Sequence, residues 1–165
     1  MTAKNISQSD EPASAPLSGE PNLRERILVV EDDPAIRQLN TQILILSGYQ
    51  VDAAEDGAAA WEALQQNNYD LMVTDNDMPK VTGVELIQKI QAARMALPVI
   101  MATGALPEFH RYGTRQPAVT LLKPYTFHEL LTAVKEVLAA ARDSLEEIAP
   151  ARNWRIQPLA DRCRL

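Results

Sequence analysis

Two apolar runs that both stop at carboxylates constrain this chain more than any other feature. Ile27-Leu28-Val29-Val30 leads into Glu31-Asp32-Asp33-Pro34, and Leu71-Met72-Val73-Thr74 leads into Asp75-Asn76-Asp77-Met78-Pro79. Continuous runs of this length suit strands covered on both faces, and roughly 40 residues between them leave room for a helical crossover. Two parallel strands joined in that way bring their C-terminal ends to one edge of a sheet. At least three carboxylates then crowd together, and unpaired carboxylates at close range repel, so the arrangement calls for a divalent cation.

Further strand and helix signals alternate along the chain. Asp33-Pro34 supplies an N-cap and a first-turn proline, and Ile36, Leu39, Ile43 and Leu46 recur at helical spacing up to Gly48, placed as a C-terminal glycine cap. Tyr49 to Ala54 reads as a second strand, and Asp56-Gly57 as the turn before an alanine-rich helix carrying Trp61 and Leu64. Trp61 reads as core rather than as a ligand platform. Asp70 opens the third strand, Pro79 to Gly83 makes a loop, and Val84, Leu86, Ile87 and Ile90 form the stripe of the next helix. Pro98 to Thr103 is a fourth strand, and the run from Val119, which ends in Lys123 followed by Pro124, a fifth. Gly104, Pro107, Gly113 and Pro117 argue for a short or irregular helix between these two. Thr126 with Glu129 three residues on is a capping box, and Leu130, Leu131, Val134, Val137 and Leu138 supply the buried stripe behind it. The alternation gives an α/β fold, a doubly wound sheet with helices on both faces.

Four strand ends carry, in order, an acid pair at Glu31-Asp32, an acid at Asp75, a hydroxyl at Thr103 and Lys123-Pro124. This ordered set resembles the receiver domain of two-component response regulators, from about Arg26 to Ala140. The resemblance implies a flavodoxin-like five-stranded parallel sheet of order 2-1-3-4-5, with the site at the switch point between strands one and three. It implies Asp75 as the phosphoacceptor and Mg2+ as the cofactor. Asp32 would be a direct metal ligand, Glu31 a ligand through water, Asp75 a ligand through its side chain and Asp77 through its main-chain carbonyl. Lys123 would pair with one phosphoryl oxygen and Thr103 would hydrogen-bond another. The implied partners are a sensor histidine kinase or histidine phosphotransfer protein and an unknown downstream protein. One departure stands out: the family usually has Tyr or Phe three residues before the lysine, where this chain has Thr120. Transmission that relies on an inward-turning ring has no counterpart there.

Composition bounds the alternatives. The chain has 165 residues, enough for one ordinary domain, and 46% of them are hydrophobic. A formal net charge of −6 argues against nucleic acid bound through a broad basic face. No run is long and apolar enough to span a bilayer. The lone Cys163 excludes intrachain disulfides, and a cytoplasmic location is expected. Residues 1–24 are expected to be a disordered leader, 25–142 the receiver domain, and 143–165 a flexible or docking tail. His128 and His110 read as exposed bystanders. Two other readings compete with a phosphoaccepting module that is not itself an enzyme beyond self-phosphorylation and autodephosphorylation. One is a receiver-fold scaffold whose output ignores phosphate. The other is a phosphatase of the haloacid-dehalogenase type, suggested by Asp75-Asn76-Asp77, although those enzymes carry their motif on the first strand and Pro79 stands where they have Thr or Val.

Overall fold

A computed structural model describes residues 25–107, 109, 113 and 116–148. The leader, Cys163, His110 and most of the tail lie outside the described residues. Five strands, β1 (Arg26–Val30), β2 (Gln50–Ala54), β3 (Leu71–Asp75), β4 (Val99–Thr103) and β5 (Val119–Leu122), form one parallel sheet of order β2-β1-β3-β4-β5. Helices α1 (Pro34–Leu46), α2 (Gly57–Gln66), α3 (Gly83–Ala92) and α4 (Phe127–Ile148) connect or follow them.

The sheet separates two apolar layers, and strand alternation decides which residue serves which. Leu28, Val30, Met72 and Met101 face α2 and α3, where they pack with Leu64, Leu86, Ile87 and Ile90. Ile27, Val29, Leu71, Val73 and Ile100 face the opposite layer, with Leu44 of α1 and Leu130, Val134 and Leu138 of α4. β3 and β4 are buried at every position, as central strands covered on both faces must be.

Local signals hold where they rest on backbone chemistry. Asp33 caps α1 by accepting from Ala35 and Ile36 N–H, and Asp56 caps α2 by accepting from Ala58 and Ala59. Gly48, with φ of 99°, takes the left-handed conformation just past α1. The Thr126–Glu129 box is complete: each side chain accepts from the other residue's backbone N–H, at 2.6 and 3.2 Å. Trp61 packs partly buried against the α2/α3 layer, with the Lys89 ammonium 5.6 Å from its ring centroid.

One expectation is corrected. The stripe Ile36, Leu39, Ile43 and Leu46 does not form the buried side of α1. Asn40 and Leu44 are buried instead, while Leu39 and Leu46 face solvent, Leu46 at 86% exposure. The helix is rotated so that Leu44 reaches the core beside Val29 and Val73, and Asn40 is buried with a polar partner described below. At the C-terminal side, α4 runs to Ile148. Between β4 and β5 the described residues hold no α-helix, and Phe109 is buried there in the α2/α3 layer.

Candidate functional site

The parallel register aligns Val30 with Thr74, and Asp75 with Ala102, so β1, β3, β4 and β5 all run out at one edge. Glu31, Asp75 and Thr103 are buried at that edge, and Asp32 is exposed. One carboxylate oxygen from each of Glu31, Asp32 and Asp75 lies within 4.8 Å of the others. Lys123, just after β5, reaches across: its Nζ donates to Glu31 Oε2 at 2.8 Å and to Asp75 Oδ2 at 2.7 Å.

The Asp75 carboxylate is oriented from both sides. Oδ2 accepts from Lys123, while Oδ1 accepts from the backbone N–H of Asn76 at 2.6 Å and of Asp77 at 3.3 Å. Asp77 is exposed, in the loop that follows β3. That loop is closed on itself. The Asn76 carbonyl accepts from Met78 and Gly83 N–H, and the Asn76 side-chain oxygen accepts from Val84 N–H. The Thr103 hydroxyl is turned to its own loop, donating to the Ala105 carbonyl at 2.9 Å.

The charge balance explains the ionisation of the pair. Burial pushes the Glu31 carboxyl above the usual carboxylate range, against the pull of Lys123, and the Asp75 charge pushes in the same direction as burial. Burial alone would lower Lys123, but the hydrogen bonds and charges of Asp75 and Glu31 outweigh it and hold the ammonium above its ordinary value. One ammonium against three carboxylates leaves net negative charge at an edge open to water through Asp32. An all-oxygen donor set of this charge fits a hard divalent cation such as Mg2+.

Three polar links had no signal in the sequence. Arg37 of α1 donates Nη1 to the Glu31 carbonyl at 2.7 Å and to the Asp32 carbonyl at 3.2 Å, which fixes the acid loop from behind. Asn40 donates to the Tyr125 hydroxyl at 2.9 Å, tying α1 to the loop after Lys123. Lys80, in the loop after β3, pairs with the buried Asp56 at the start of α2 at 2.5 Å. All three join residues on different elements, so no local pattern announces them. His128 is exposed.

A family model for the response regulator receiver domain matches residues 27–135. The chain belongs to that family. It is 31% identical over 119 residues to the response regulator receiver protein CpdR of Brucella abortus, covering 71% of this chain and 99% of that one. It is 33% identical over 138 residues to the DNA-binding transcriptional regulator NtrC of a Bradyrhizobium, covering 82% of this chain. The chain spans only 29% of that regulator, and 56% of the response regulator MprA of Mycobacterium leprae. Among solved structures, a CheY-like receiver domain from Methanospirillum hungatei superposes with a TM-score of 0.68 at 28% identity, covering 73% of this chain and 98% of that one. The regulator TrrA of Thermotoga maritima, solved in complex with Mg(2+)-BeF, gives 0.61 at 31% identity, covering 68% and 98%.

Proposed function

We propose that this receiver domain accepts a phosphoryl group on Asp75, with Mg2+, from a histidine kinase or histidine phosphotransfer protein, and acts by contacting a downstream protein in the cytoplasm. The observation that carries the reading is the convergence of Glu31, Asp32 and Asp75 on one side of Lys123. The Mg(2+)-BeF complex of TrrA supports it, because beryllofluoride on an aspartate stands in for a phosphoryl group.

The chain's residues divide the work. Backbone N–H groups at Asn76 and Asp77 hold the Asp75 carboxylate in one orientation before the donor arrives, so little reorganisation accompanies attack. An Asp75 oxygen forms a bond to phosphorus as the phosphorus–nitrogen bond of phosphohistidine breaks. The electron pair of that bond returns to the imidazole, which is protonated as it leaves. Lys123 stays on the reacting carboxylate and pairs with a phosphoryl oxygen. Thr103 exchanges its bond to Ala105 for one to another phosphoryl oxygen. Asp32, the Asp75 carboxylate, Glu31 through water and the main-chain carbonyl of Asp77 would hold Mg2+, which would supply charge neutralisation for the transferring group. We infer no further enzymatic activity beyond this self-phosphorylation and autodephosphorylation.

A second reading, a scaffold whose output ignores phosphate, draws on Thr120 at the position where the family usually has an aromatic ring. Loading with beryllofluoride and Mg2+, or with acetyl phosphate, tests the first reading. Wild-type protein should load, and Asp75→Asn and chelator-treated protein should not. Full labelling of Asp75→Asn would overturn it, and a partner bound equally by loaded and unloaded protein would favour the scaffold.

A further inference from the structure

α1 touches the site at two separate places. One turn in, Arg37 holds the carbonyls of Glu31 and Asp32. Three residues later, Asn40 is 3% exposed and donates to the Tyr125 hydroxyl. Tyr125 follows Lys123 with only Pro124 between them, so its ring and the ammonium share one short length of chain. The Tyr125 hydroxyl also lies in the electric field of the site. Burial raises it above an ordinary tyrosine, and Lys123, Glu31 and Asp75 all act on its ionisation.

We propose that α1 registers whether Asp75 is loaded, through the Tyr125–Asn40 hydrogen bond, with Tyr125 and Asn40 as positioning residues; this rests on the phosphoaccepting reading above. Lys123 in the unloaded site is shared between Glu31 and Asp75. A phosphoryl group carries its charge beyond the Asp75 carboxylate, so the ammonium shifts outward from Glu31 to follow it. The Lys123–Tyr125 segment shifts with it. A buried amide left without its partner is costly, so either α1 follows the hydroxyl or the bond is given up, and the two outcomes are discrete. The route that an aromatic at position 120 serves in the family has no ring here, where the chain has Thr120. On the side of α1 away from Asn40, Leu39, Ile45 and Leu46 are exposed, so a shift of this helix alters a surface that solvent and partners meet.

The test uses the full chain, isotopically labelled, with Mg2+ and beryllofluoride as the probe, read by amide NMR. In wild type, signals of residues 36–46 and the Asn40 side-chain amide should move together with those of Asp75 and Lys123. Tyr125→Phe removes one oxygen and keeps the ring. It should retain the shifts at Asp75 and Lys123, lose most of those in α1, and change beryllofluoride affinity about two- to tenfold, the range one hydrogen bond carries. Asn40→Leu should do the same, and the double variant should add nothing further. An undiminished α1 response in Tyr125→Phe would overturn the proposal, as would a wild-type site that loads while α1 stays still. Absence of any response at Asp75 in wild type would instead remove the phosphoaccepting reading, and this proposal with it.

Discussion

The first residue of α3, Gly83, packs its α-carbon directly against the carbonyl oxygen of Asp75, leaving no space for a side chain. The neighbouring Gly83 N–H bonds to the Asn76 carbonyl, so the helix start and the end of β3 are locked backbone to backbone. Any β-carbon at position 83 must push the two apart.

Gly83→Ala should therefore destabilise the fold by about 2 kcal/mol or more, the range for overpacking a filled interior, and weaken Mg2+ binding as the Asp75–Asp77 backbone moves. Chemical denaturation and a Mg2+ titration on the same protein would measure both. Unchanged values in the two experiments would mean that the loop yields freely.

Lys123 is the cation shared by two buried acids, and its removal should be felt in a pH-dependent way. Lys123→Met should cost about 3 kcal/mol at neutral pH, as expected when one partner of a buried pair is lost. Glu31 has its folded pKa raised from 4.5, so the wild type carries a penalty that is absent below that value and grows as pH rises through the folded one. In Lys123→Met that penalty should deepen, and stability should fall more steeply above pH 4.5 than in wild type. At the alkaline end wild type should lose a contribution that Lys123→Met lacks, because the raised Lys123 pKa means that its stabilisation is lost as pH climbs past 10.5. Denaturant midpoints from pH 4 to 11 would expose both limbs.

Asp75→Asn should stabilise the metal-free protein by about 0.5 to 2 kcal/mol, because Glu31 and Asp32 lose a repelling neighbour while Lys123 keeps its bond to Glu31. Mg2+ should then raise the melting temperature of wild type more than that of the variant, since only a ligand that binds the native state adds stability. Equal responses to Mg2+ would indicate that these carboxylates do not share an ion.

Thr120 pairs in register with Met101 on β4, and it has neither the volume nor the reach of a ring. Moving a two-state element from 1:99 to 99:1 takes roughly 5.5 kcal/mol of differential binding, more than a threonine rotamer can supply. Beryllofluoride should perturb amides at Asp75, Thr103 and Lys123 strongly, and those at Thr120 and Phe109 only slightly. A concerted shift at Thr120 as large as that at Asp75 would contradict this.

Which features were legible in the sequence follows from the range of the forces involved. The Thr126–Glu129 capping box and the continuous apolar runs of β1, β3 and β4 are set by neighbours a few residues away, and each appears where the pattern puts it. The convergence of Glu31, Asp32 and Asp75 followed from strand ends plus parallel topology. The buried side of α1 did not follow, because Asn40 is polar and its partner Tyr125 is 85 positions away, so counting apolar residues turned the helix toward Leu39 and Leu46. The position of Thr103 at the end of β4 followed from the same strand pattern, while the donation of its hydroxyl to the nearby Ala105 carbonyl is a local choice that the pattern does not specify.

The complete burial of β3 has a consequence for how Asp75 can be reached. A central strand sealed on both faces belongs to the part of a domain that opens last, with its amides exchanging only as the whole molecule unfolds. Fraying cannot bare the carboxylate, since the residues holding it are the ones that melt with everything else. Water and any phosphodonor would gain access over the rim, past Asp32 and the loops that begin at the ends of β4 and β5, beside Thr103 and Lys123. The lifetime of anything bonded to Asp75 is accordingly a property of those loops, and substitutions there can retune a timer while leaving the scaffold beneath it untouched.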